Sequence, residues 1–519
     1  MKHLEALASQ IAAQGVSHTF GIPGSGPSLF LLDALEKQGV QFHLTHFEGS
    51  AALMAGAIGK LSGSSGVAIS IKGPGLTNML PGLAACSLDA FPVVSVSEAY
   101  LPDTPLENAH KRLDHNKLLA AIVKFQCGLS LKGPRFAELT QRAESEVPGV
   151  VHLNIAATPY QEDLLEDENQ IEKSDDAQWA QAERLLRQSN HPLIIAGTLA
   201  TRKSWCKKLN ALSLPIFSTA AAKGAVDENL LHAAGVFTGV GGPLAPEKKL
   251  IPQADLIIAI GLRHNEVLAV KPFDCPTILI DPLGEAQSFG FKFDSTIEGS
   301  PLQIEALLDQ LAEKQWGLDM VDAARQRLNK KLEASSFLPA AVYRCISAHF
   351  RNEARLVLDT GDFCTIAEHA WAVARPDLYL ACGQGRYMGV AIPLGIGAAI
   401  YDPGVPTVVF TGDGGIGMFV SEIKLAVQHK LPLLVVLISD SHLGTIRGSA
   451  LQKGLTQHAT AIYQPSWVKA IAGFDLPVAR AETIDQVEKS LSSWDQKGPL
   501  FLEVPFDADK YQRMTEGIR

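Results

Sequence analysis

The sequence is poor in the features that mark secreted, membrane-spanning and nucleic-acid-binding proteins. Its 519 residues include only seven cysteines, none of them in a C-x-x-C pair, so neither a disulfide framework nor a zinc site is indicated. No apolar run approaches the roughly 20 residues that a transmembrane helix needs. The net charge of −10 provides no basic surface for a nucleic acid or an anionic membrane. These absences favour small-molecule ligands.

The N-terminal segment MKHLEALASQIAAQGV lacks the pattern of a secretory signal. Its apolar residues recur at helical spacing, which predicts an amphipathic helix instead. Together with the scattered cysteines, this segment leads us to expect a cytoplasmic protein that binds neither nucleic acid nor membrane.

Strand-like and helix-like patterns alternate along the chain. Two charged segments without strand-like runs, 161–178 and 313–336, separate three such stretches. Strands that alternate with helices form parallel sheets between helix layers. We therefore predict an α/β fold of three domains, each a mostly parallel sheet flanked by helices, over 1–160, 179–312 and 337–519. The strand-like runs are GVAISI, FPVVSVS, HPLIIAG, ADLIIAIG, PTILIDP, ARLVLDT, TVVFTGD and LLVVLIS.

Two aspartates, Asp413 and Asp440, each follow an apolar run in the last third of the chain. The pattern predicts a strand, the glycine turn GDGG, a helix, a second strand and a loop, in that order. Both carboxylates should then lie at the ligand-binding edge of a parallel sheet. Carboxylates beside a helix N-terminus indicate a Mg²⁺ site shared with a diphosphate. The alternative is that Asp413 caps the helix and Asp440 lies in a solvated turn. The predicted segments are 407–411, 412–415, 418–429, 431–438 and 439–444.

These motifs resemble those of thiamine diphosphate (ThDP) enzymes of the acetohydroxyacid synthase and benzoylformate decarboxylase group. GDGG is followed after about thirty residues by a polar pair and a glycine, as in that family. The resemblance covers nearly the whole chain and implies a pyrimidine-binding, a central and a diphosphate-binding domain. Further matching segments, in chain order, are FGIPGSG, HFEGSAALMAGAIGKLSG, KGPGLTNMLPGLAAC, FPVVSVS and GQGRYMGVAIPLGIGAAI.

The resemblance also implies roles for particular residues. In the family an aspartate, an asparagine and a backbone carbonyl hold Mg²⁺, which assigns the metal here to Asp413, Asp440 and His442. Met388 matches the apolar residue that bends the cofactor, although a core methionine would be the ordinary interpretation. The implied cofactor-binding residues are Glu48, Gly361, Arg386, Met388, Gly412, Asp413, Gly414, Gly415, Asp440, His442, Leu443 and Gly444.

Glu48 matches the glutamate that contacts the aminopyrimidine ring of the cofactor. A carboxylic acid there favours the imino tautomer, which removes the thiazolium C2 proton. Outside its motif, a glutamate that opens a helix would be interpreted as an exposed first-turn charge.

Four positions depart from the family pattern. Asp440 replaces the usual asparagine, and the extra charge should strengthen metal binding but repel the diphosphate. Asp362 and Phe363 replace polar residues that contact the phosphates. Arg386 stands where a glycine carbonyl usually accepts from the cofactor, so a main-chain contact could persist there.

Residues on the substrate side are assigned through benzoylformate decarboxylase. Ser25 aligns with a serine that contacts the substrate carboxylate, and Lys72 with a proton-transferring histidine. Lys72 could pair with a carboxylate, sulfonate or phosphonate, or act as an acid. The alternatives are that Lys72 points to solvent and that Ser25 caps the next helix. His110 and His115 lie on a segment that lines the active-site mouth in the family, although surface positions are the default.

The resemblance implies a ThDP- and Mg²⁺-dependent 2-oxo acid decarboxylase. Its enamine intermediate is protonated to an aldehyde or ligated to a second carbonyl, and the sequence leaves this choice open. An acetolactate synthase-like carboligase and a catalytically silent subunit are the alternatives. The family implies a homodimer or dimer of dimers with active sites at the interface. We expect no required FAD, because the central region lacks the full G-x-G-x-x-G fingerprint.

Overall fold

The computed structural model describes residues 2–131, 135–160, 176–203, 205–263, 266, 272–281, 293–298, 301–333, 337–463 and 465–518. It contains three six-stranded sheets, and every strand pair within them is parallel. The predicted α/β fold with three parallel sheets is therefore confirmed. Most of the acidic segment 161–178 lies outside the described residues.

The first sheet has the strand order β2-β1-β3-β4-β6-β5. Its inner strands β3 and β4 are buried along their whole length, which explains their continuous apolar runs. The strands are β1 (His18–Ile22), β2 (Gln41–Leu44), β3 (Gly66–Ser70), β4 (Val93–Glu98), β5 (Phe125–Gly128) and β6 (Val150–Ile155). The helices are α1 (Lys2–Ala13), α2 (Pro27–Lys37), α3 (Glu48–Ser62), α4 (Pro74–Leu88), α5 (His115–Leu119) and α6 (Phe136–Glu144).

The central sheet has a different strand order, β12-β11-β10-β7-β8-β9. The strands are β7 (Pro192–Ala196), β8 (Ile216–Thr219), β9 (Ala233–Phe237), β10 (Leu256–Ile260), β11 (Thr277–Ile280) and β12 (Ser295–Ile297). The helices are α7 (Asp176–Gln188), α8 (Thr198–Arg202), α9 (Cys206–Asn210), α10 (Glu247–Leu250), α11 (Pro301–Leu311) and α12 (Leu318–Leu332). Helix α12 lies in the charged segment 313–336, in which we expected no strand.

The third sheet has the order β14-β13-β15-β16-β18-β17, which repeats that of the first sheet. Its strands are β13 (Arg355–Leu358), β14 (Tyr379–Ala381), β15 (Thr407–Gly412), β16 (Leu433–Ser439), β17 (Val478–Arg480) and β18 (Leu500–Pro505). The helices are α13 (Pro339–His349), α14 (Asp362–Ala370), α15 (Ala391–Tyr401), α16 (Asp413–Phe419), α17 (Ile423–Gln428), α18 (Gly444–Gln452), α19 (Trp467–Ala472), α20 (Ile484–Ser493) and α21 (Ala508–Met514).

Helices α3 and α15 pack the first region against the third. Every residue of α15 from Ala391 to Ile400 is buried, and small residues line α3. At their crossing, a Cβ on Gly397 would lie 2.5 Å from the carbonyl oxygen of Met54, so only glycine allows this approach. The two regions consequently share one hydrophobic core. Among the described residues, no helix has the length and hydropathy required to span a bilayer.

Candidate active site

Asp413 and Asp440 lie together at the carboxyl edge of the third sheet. They follow the adjacent strands β15 and β16, in which Gly412 pairs with Ile438. The main-chain N–H groups of Asp440 and Ser441 donate to Asp413 Oδ2 over 2.7 and 2.6 Å. The Asp413 carboxylate therefore connects the ends of β15 and β16. As predicted, the two aspartates lie at the same edge of the sheet.

A cavity of about 560 Å³ opens beside this pair. Eleven of the fourteen residues that we predicted for the site line it, all of them from the third region. They are Gly361, Arg386, Met388, Gly412, Asp413, Gly414, Gly415, Asp440, His442, Leu443 and Gly444. The volume lies within the usual range for small-molecule sites.

Three helices begin at the wall of this cavity. They are α14, α16 and α18, whose first residues are Asp362, Asp413 and Gly444. None of the three has a side-chain cap on its first N–H groups. Free N–H groups and the positive end of each helix dipole favour an anion in the cavity.

The predicted glycine turn GDGG is wrong, because the third sheet continues directly into α16. Strand β15 includes Gly412, and the helix begins at Asp413. A Cβ on Gly414 would lie 2.8 Å from Leu443 Cδ2 and 3.3 Å from Met388 Sδ, and one on Gly415 would overlap the Asp359 carboxylate. Dense packing against Asp359 and the Gly389 main chain therefore requires glycine at Gly415, whereas Gly414 contacts only the ends of flexible side chains. The predicted single helix 418–429 is also wrong, since α16 and α17 are separated by a 3₁₀ turn at Val420–Glu422.

Negative charge accumulates at this edge of the sheet. Burial raises the pKa of Asp440 to about 6, against the opposing hydrogen bond from the His442 N–H group. Burial also raises the pKa of Asp362, whose carboxylate accepts from the Thr445 hydroxyl over 2.6 Å. A Cβ on Gly444 would lie 3.1 Å from Asp362 Oδ2 and 3.5 Å from Asp440 Oδ2, so both carboxylates flank the start of α18.

The donor set at this edge fits a hard cation. Carboxylate oxygens are the ligands that Mg²⁺ prefers, and Asp413 and Asp440 supply them. The Nδ1 atom of His442 lies 2.8 Å from the Asp440 carbonyl, so this contact occupies one ring nitrogen. Within the described ranges, no group of three or more histidine, cysteine, aspartate and glutamate side chains is arranged to hold a metal. A cation here would therefore need main-chain or ligand oxygens as well.

Arg386 and Met388 also contribute to the wall of the cavity, with Met388 Sδ close to Gly414. Arg386 has φ +46°, in the left-handed region that favours glycine. The main chain at Arg386 thus adopts a conformation that glycine reaches more easily, although the side chain is large. Met388 is about a third exposed, which is unusual for a core methionine and leaves its side chain accessible from the cavity.

Glu48 does not line this cavity within one chain. It opens α3 at the carboxyl edge of the first sheet, where its side chain is buried. The Asn78 side-chain amide donates to Glu48 Oε2 over 3.1 Å. The alternative interpretation of Glu48 as an exposed first-turn charge is therefore wrong.

Ser25 and Lys72 also lie at the edge of the first sheet, outside the large cavity. Ser25 is exposed, and the residue at the cap position of α2 is Gly26, so the interpretation of Ser25 as a helix cap is wrong. Lys72 Nζ lies 2.9 Å from Glu98 Oε2 and is largely buried, which excludes a lysine that points to solvent.

Glu98, the last residue of strand β4, was not among the predicted site residues. Although burial opposes it, hydrogen bonds from Ser28 and Lys72 keep the pKa of Glu98 below its ordinary value. The sequence pattern that could have identified Glu98 is a carboxylate at the end of a buried strand, which is close to the pattern that identified Asp413.

The central sheet has the strand order of dinucleotide-binding folds, with a crevice between β7 and β10. In that crevice the buried Glu266 carboxylate accepts from the Thr198 N–H and hydroxyl groups, the Arg263 N–H group and the Thr219 hydroxyl. A side chain thus takes the place at the start of α8 that a phosphate would need. The glycine-rich loop 239–242 is likewise closed on the Glu247 carboxylate. The absence of a required FAD stays a prediction.

Fold and site together define an α/β protein in which the first and third sheets have the same strand order. The third sheet carries a cavity suited to a metal ion and a phosphate. Family models for thiamine pyrophosphate enzymes match the chain in three parts: the N-terminal TPP binding domain over 1–116, the central domain over 179–286 and the C-terminal TPP binding domain over 359–504. The chain belongs to the ThDP-dependent enzymes of the acetohydroxyacid synthase group.

Several known proteins are similar to this chain over nearly their whole length. The probable 2-ketoarginine decarboxylase AruI of Pseudomonas aeruginosa is 27% identical, over 96% of this chain and 93% of the relative. Acetolactate synthase of Bacillus subtilis is 24% identical, over 97% and 93%. The acetolactate synthase isozyme 2 large subunit of Escherichia coli is 25% identical, over 96% and 94%. The relatives thus include one probable decarboxylase and several acetolactate synthases.

Proposed function

We propose that the protein is a ThDP- and Mg²⁺-dependent 2-oxo acid decarboxylase. The observation that carries this proposal is the division of the predicted site between two sheet edges. Asp413, Asp440 and Met388 line the cavity of the third region, whereas Glu48 is buried at the edge of the first. Each chain thus has one acidic cavity for a cofactor tail and one separate carboxyl group for its ring.

The cavity residues have distinct proposed roles. Asp413, Asp440 and His442 would hold the metal ion, and the uncapped starts of α14, α16 and α18 would donate to the diphosphate. Met388 supports the thiazolium ring. When bound, the cofactor supplies the carbon nucleophile and the electron sink for decarboxylation.

Glu48 provides the proton chemistry. Its carboxyl group would hold the aminopyrimidine ring of a bound cofactor and would supply the proton needed there. Burial and the Asn78 hydrogen bond orient the carboxyl group for this role.

We further propose a cytoplasmic homodimer or dimer of dimers. Glu48 of one chain would face the cavity of its partner, because it does not line the cavity of its own chain. A symmetric dimer would then contain two complete sites. The division into domains at 1–160, 179–312 and 337–519 belongs to the same proposal.

A carboligase is the second candidate, because several relatives are named acetolactate synthases. Both activities begin with loss of CO₂ from a 2-oxo acid and differ in the second half of the reaction. Protonation gives an aldehyde, whereas addition to a second carbonyl gives a 2-hydroxyketone or an acetohydroxy acid.

The test is incubation of the Mg²⁺- and ThDP-loaded protein with a panel of 2-oxo acids, followed by measurement of CO₂ release and product masses. The panel includes pyruvate, 2-oxobutyrate, 2-oxoglutarate, sulfopyruvate, phosphonopyruvate and 2-ketoarginine. An aldehyde product supports the decarboxylase, and a condensed product supports the carboligase. Bound cofactor without consumption of any acid would overturn both and favour a silent subunit.

A further inference from the structure

A second cavity, of about 390 Å³, lies at the carboxyl edge of the first sheet. Lys72, which follows β3, contributes to its wall, as do Tyr100 after β4 and Tyr160 after β6. The segment Lys111–Asn116 closes the other side. The cavity therefore occupies the position, just beyond the strand ends, where parallel sheets bind ligands.

The wall of this cavity is mainly cationic, with Lys72, Lys111 and Arg112 against one carboxylate, Asp114. Asp114 is half exposed and pairs with Lys117 over 3.2 Å. In the part of the chain that the structure describes, neither Lys111 nor Arg112 forms an ion pair. These two cations give the cavity a positive potential that attracts an anion.

Arg112 is held in place by the main chain. Its guanidinium group donates to the carbonyl oxygens of Thr104 and Pro102 over 2.7 and 3.0 Å. Carbonyl partners fix the side chain without neutralising its charge. The charge of Arg112 thus remains available to a ligand.

Lys72 is positioned from behind the cavity wall. Its ammonium group pairs with the buried Glu98 carboxylate and lies 5.1 Å from the centre of the Tyr100 ring. Glu98 does not line the cavity. Lys72 therefore presents a fixed N–H donor to the cavity, while Lys111 and Arg112 supply the unbalanced charge.

A short glycine loop links this cavity to Glu48. At one end, the Gly73 N–H group points to Nε2 of His115, a residue of the cavity wall, over 3.5 Å. At the other end, a Cβ on Gly75 would lie 3.4 Å from Glu48 Oε1. The cationic cavity thus borders the carboxyl group to which we assign the proton chemistry.

We propose that this cavity binds a second anionic group of the substrate, so that the preferred substrate is a 2-oxo acid with a carboxylate, sulfonate or phosphonate at its far end. The inference rests on the proposed function for the reacting end of the molecule. A substrate with a cationic tail is disfavoured by the same two unpaired cations.

The first test compares kcat/KM for doubly charged acids with that for singly charged acids. The doubly charged acids are 2-oxoglutarate, sulfopyruvate and phosphonopyruvate, and the singly charged acids are pyruvate, 2-oxobutyrate and 2-oxopentanoate. We expect at least one doubly charged acid to exceed all the singly charged acids by about tenfold or more. Arg112→Gln should reduce this ratio by about tenfold, mainly through KM.

Lys497→Gln is the control, because Lys497 is an exposed cation outside the cavity wall. It should leave the ratio within about twofold of wild type. Equal kcat/KM for both classes of acid, or the same loss of ratio in both variants, would overturn the inference.

A binding measurement separates this inference from the proposed function. Titration calorimetry of the cofactor-loaded protein with glutarate, sulfoacetate and phosphonoacetate, against pentanoate, requires no turnover. Binding of a doubly charged acid that Arg112→Gln weakens supports the cavity, even where no 2-oxo acid is consumed and the proposed function fails. Turnover of singly charged acids without any preference in binding overturns the cavity and leaves the proposed function standing.

Discussion

The first and third sheets have the same strand order, but the cavities at their carboxyl edges are lined by charged side chains of mainly opposite sign. The first edge carries Lys72 and Arg112 around one cavity, and the third carries Asp413, Asp440 and Asp362 around another. Strand order brings the ends of particular strands together, whereas the residues placed there decide which ligand is attracted. In our proposal the acidic edge takes the metal and diphosphate, and the basic edge takes the substrate.

The strongest test of this division is Glu48→Gln, which changes only the first edge. We expect kcat to fall by about 10³-fold, because an amide cannot exchange the proton that the carboxyl group carries. Cofactor affinity, measured by titration calorimetry, should change less than about threefold, because in our proposal Asp413 and Asp440 hold the diphosphate through the metal ion. A parallel loss of cofactor binding would contradict the assignment of separate tasks to the two edges.

Mixed dimers extend the same experiment to the interface. Glu48→Gln chains combined with Asp413→Ala chains should form one intact and one doubly altered site per heterodimer. Purified heterodimers with two different tags should therefore regain about half of the wild-type activity. Absence of rescue would mean that both edges act within one chain.

The second largest effect is expected at the acidic edge. Asp413→Ala removes a proposed metal ligand and leaves the N–H groups of Asp440 and Ser441 without their carboxylate acceptor. ThDP affinity in the presence of Mg²⁺ should fall by at least about 100-fold, as measured by quenching of intrinsic fluorescence. The exposed Asp475→Asn variant is the charge-matched control. Similar affinities in both variants would argue that the cavity does not hold the metal.

A smaller and opposite effect is expected from Asp362→Asn. The Asp362 carboxylate lies beside Gly444 at the start of α18, where a diphosphate would bind. Loss of its negative charge should strengthen ThDP binding about fivefold at pH 8, while the amide oxygen can still accept from Thr445. The same fluorescence titration measures the change. If binding weakens instead, Asp362 is a metal ligand, and the acidic edge has three carboxylates in that role.

The sequence predicted those parts of the fold and site that depend on neighbouring strands. Asp413 and Asp440 meet because β15 and β16 are consecutive and parallel, so both positions can be inferred from one local pattern. The GDGG segment was misinterpreted because its glycines favour a turn. In the folded protein, Gly414 and Gly415 instead belong to the first turn of a helix that packs against Leu443 and Asp359.

Contacts between distant segments could not be predicted in the same way. Thr445 donates to Asp362 across 83 positions, and Lys72 donates to Glu98 across 26. A threonine or a lysine in the sequence does not indicate which carboxylate it will contact unless the strand order is known. The basic cavity was missed for this reason, since its cations come from separate parts of the chain and converge only in the folded sheet.

The smallest expected effect concerns the contact between the two regions. Three histidines form a chain across it: His18 Nδ1 lies 3.0 Å from His43 Nε2, and His43 Nδ1 lies 3.2 Å from His429 Nε2. Burial, and then the neighbouring histidines His429 and His18, lower the pKa of His43 to about 3. Burial also lowers the pKa of His18 and of His429. The three histidines are therefore uncharged in the folded protein near neutral pH.

The sign of the pH dependence is set by these lowered pKa values. Below pH 6.5 the unfolded chain binds protons that the folded histidines exclude, so stability is complete above that pH and is lost as pH falls towards 3. His429→Gln removes one such group and should reduce the loss of melting temperature between pH 7 and 5 by roughly 1–2 °C. Scanning calorimetry at constant ionic strength measures this, with the exposed His458→Gln as control. Parallel pH profiles for wild type and His429→Gln would show that the histidine chain does not couple protonation to the packing of the two regions.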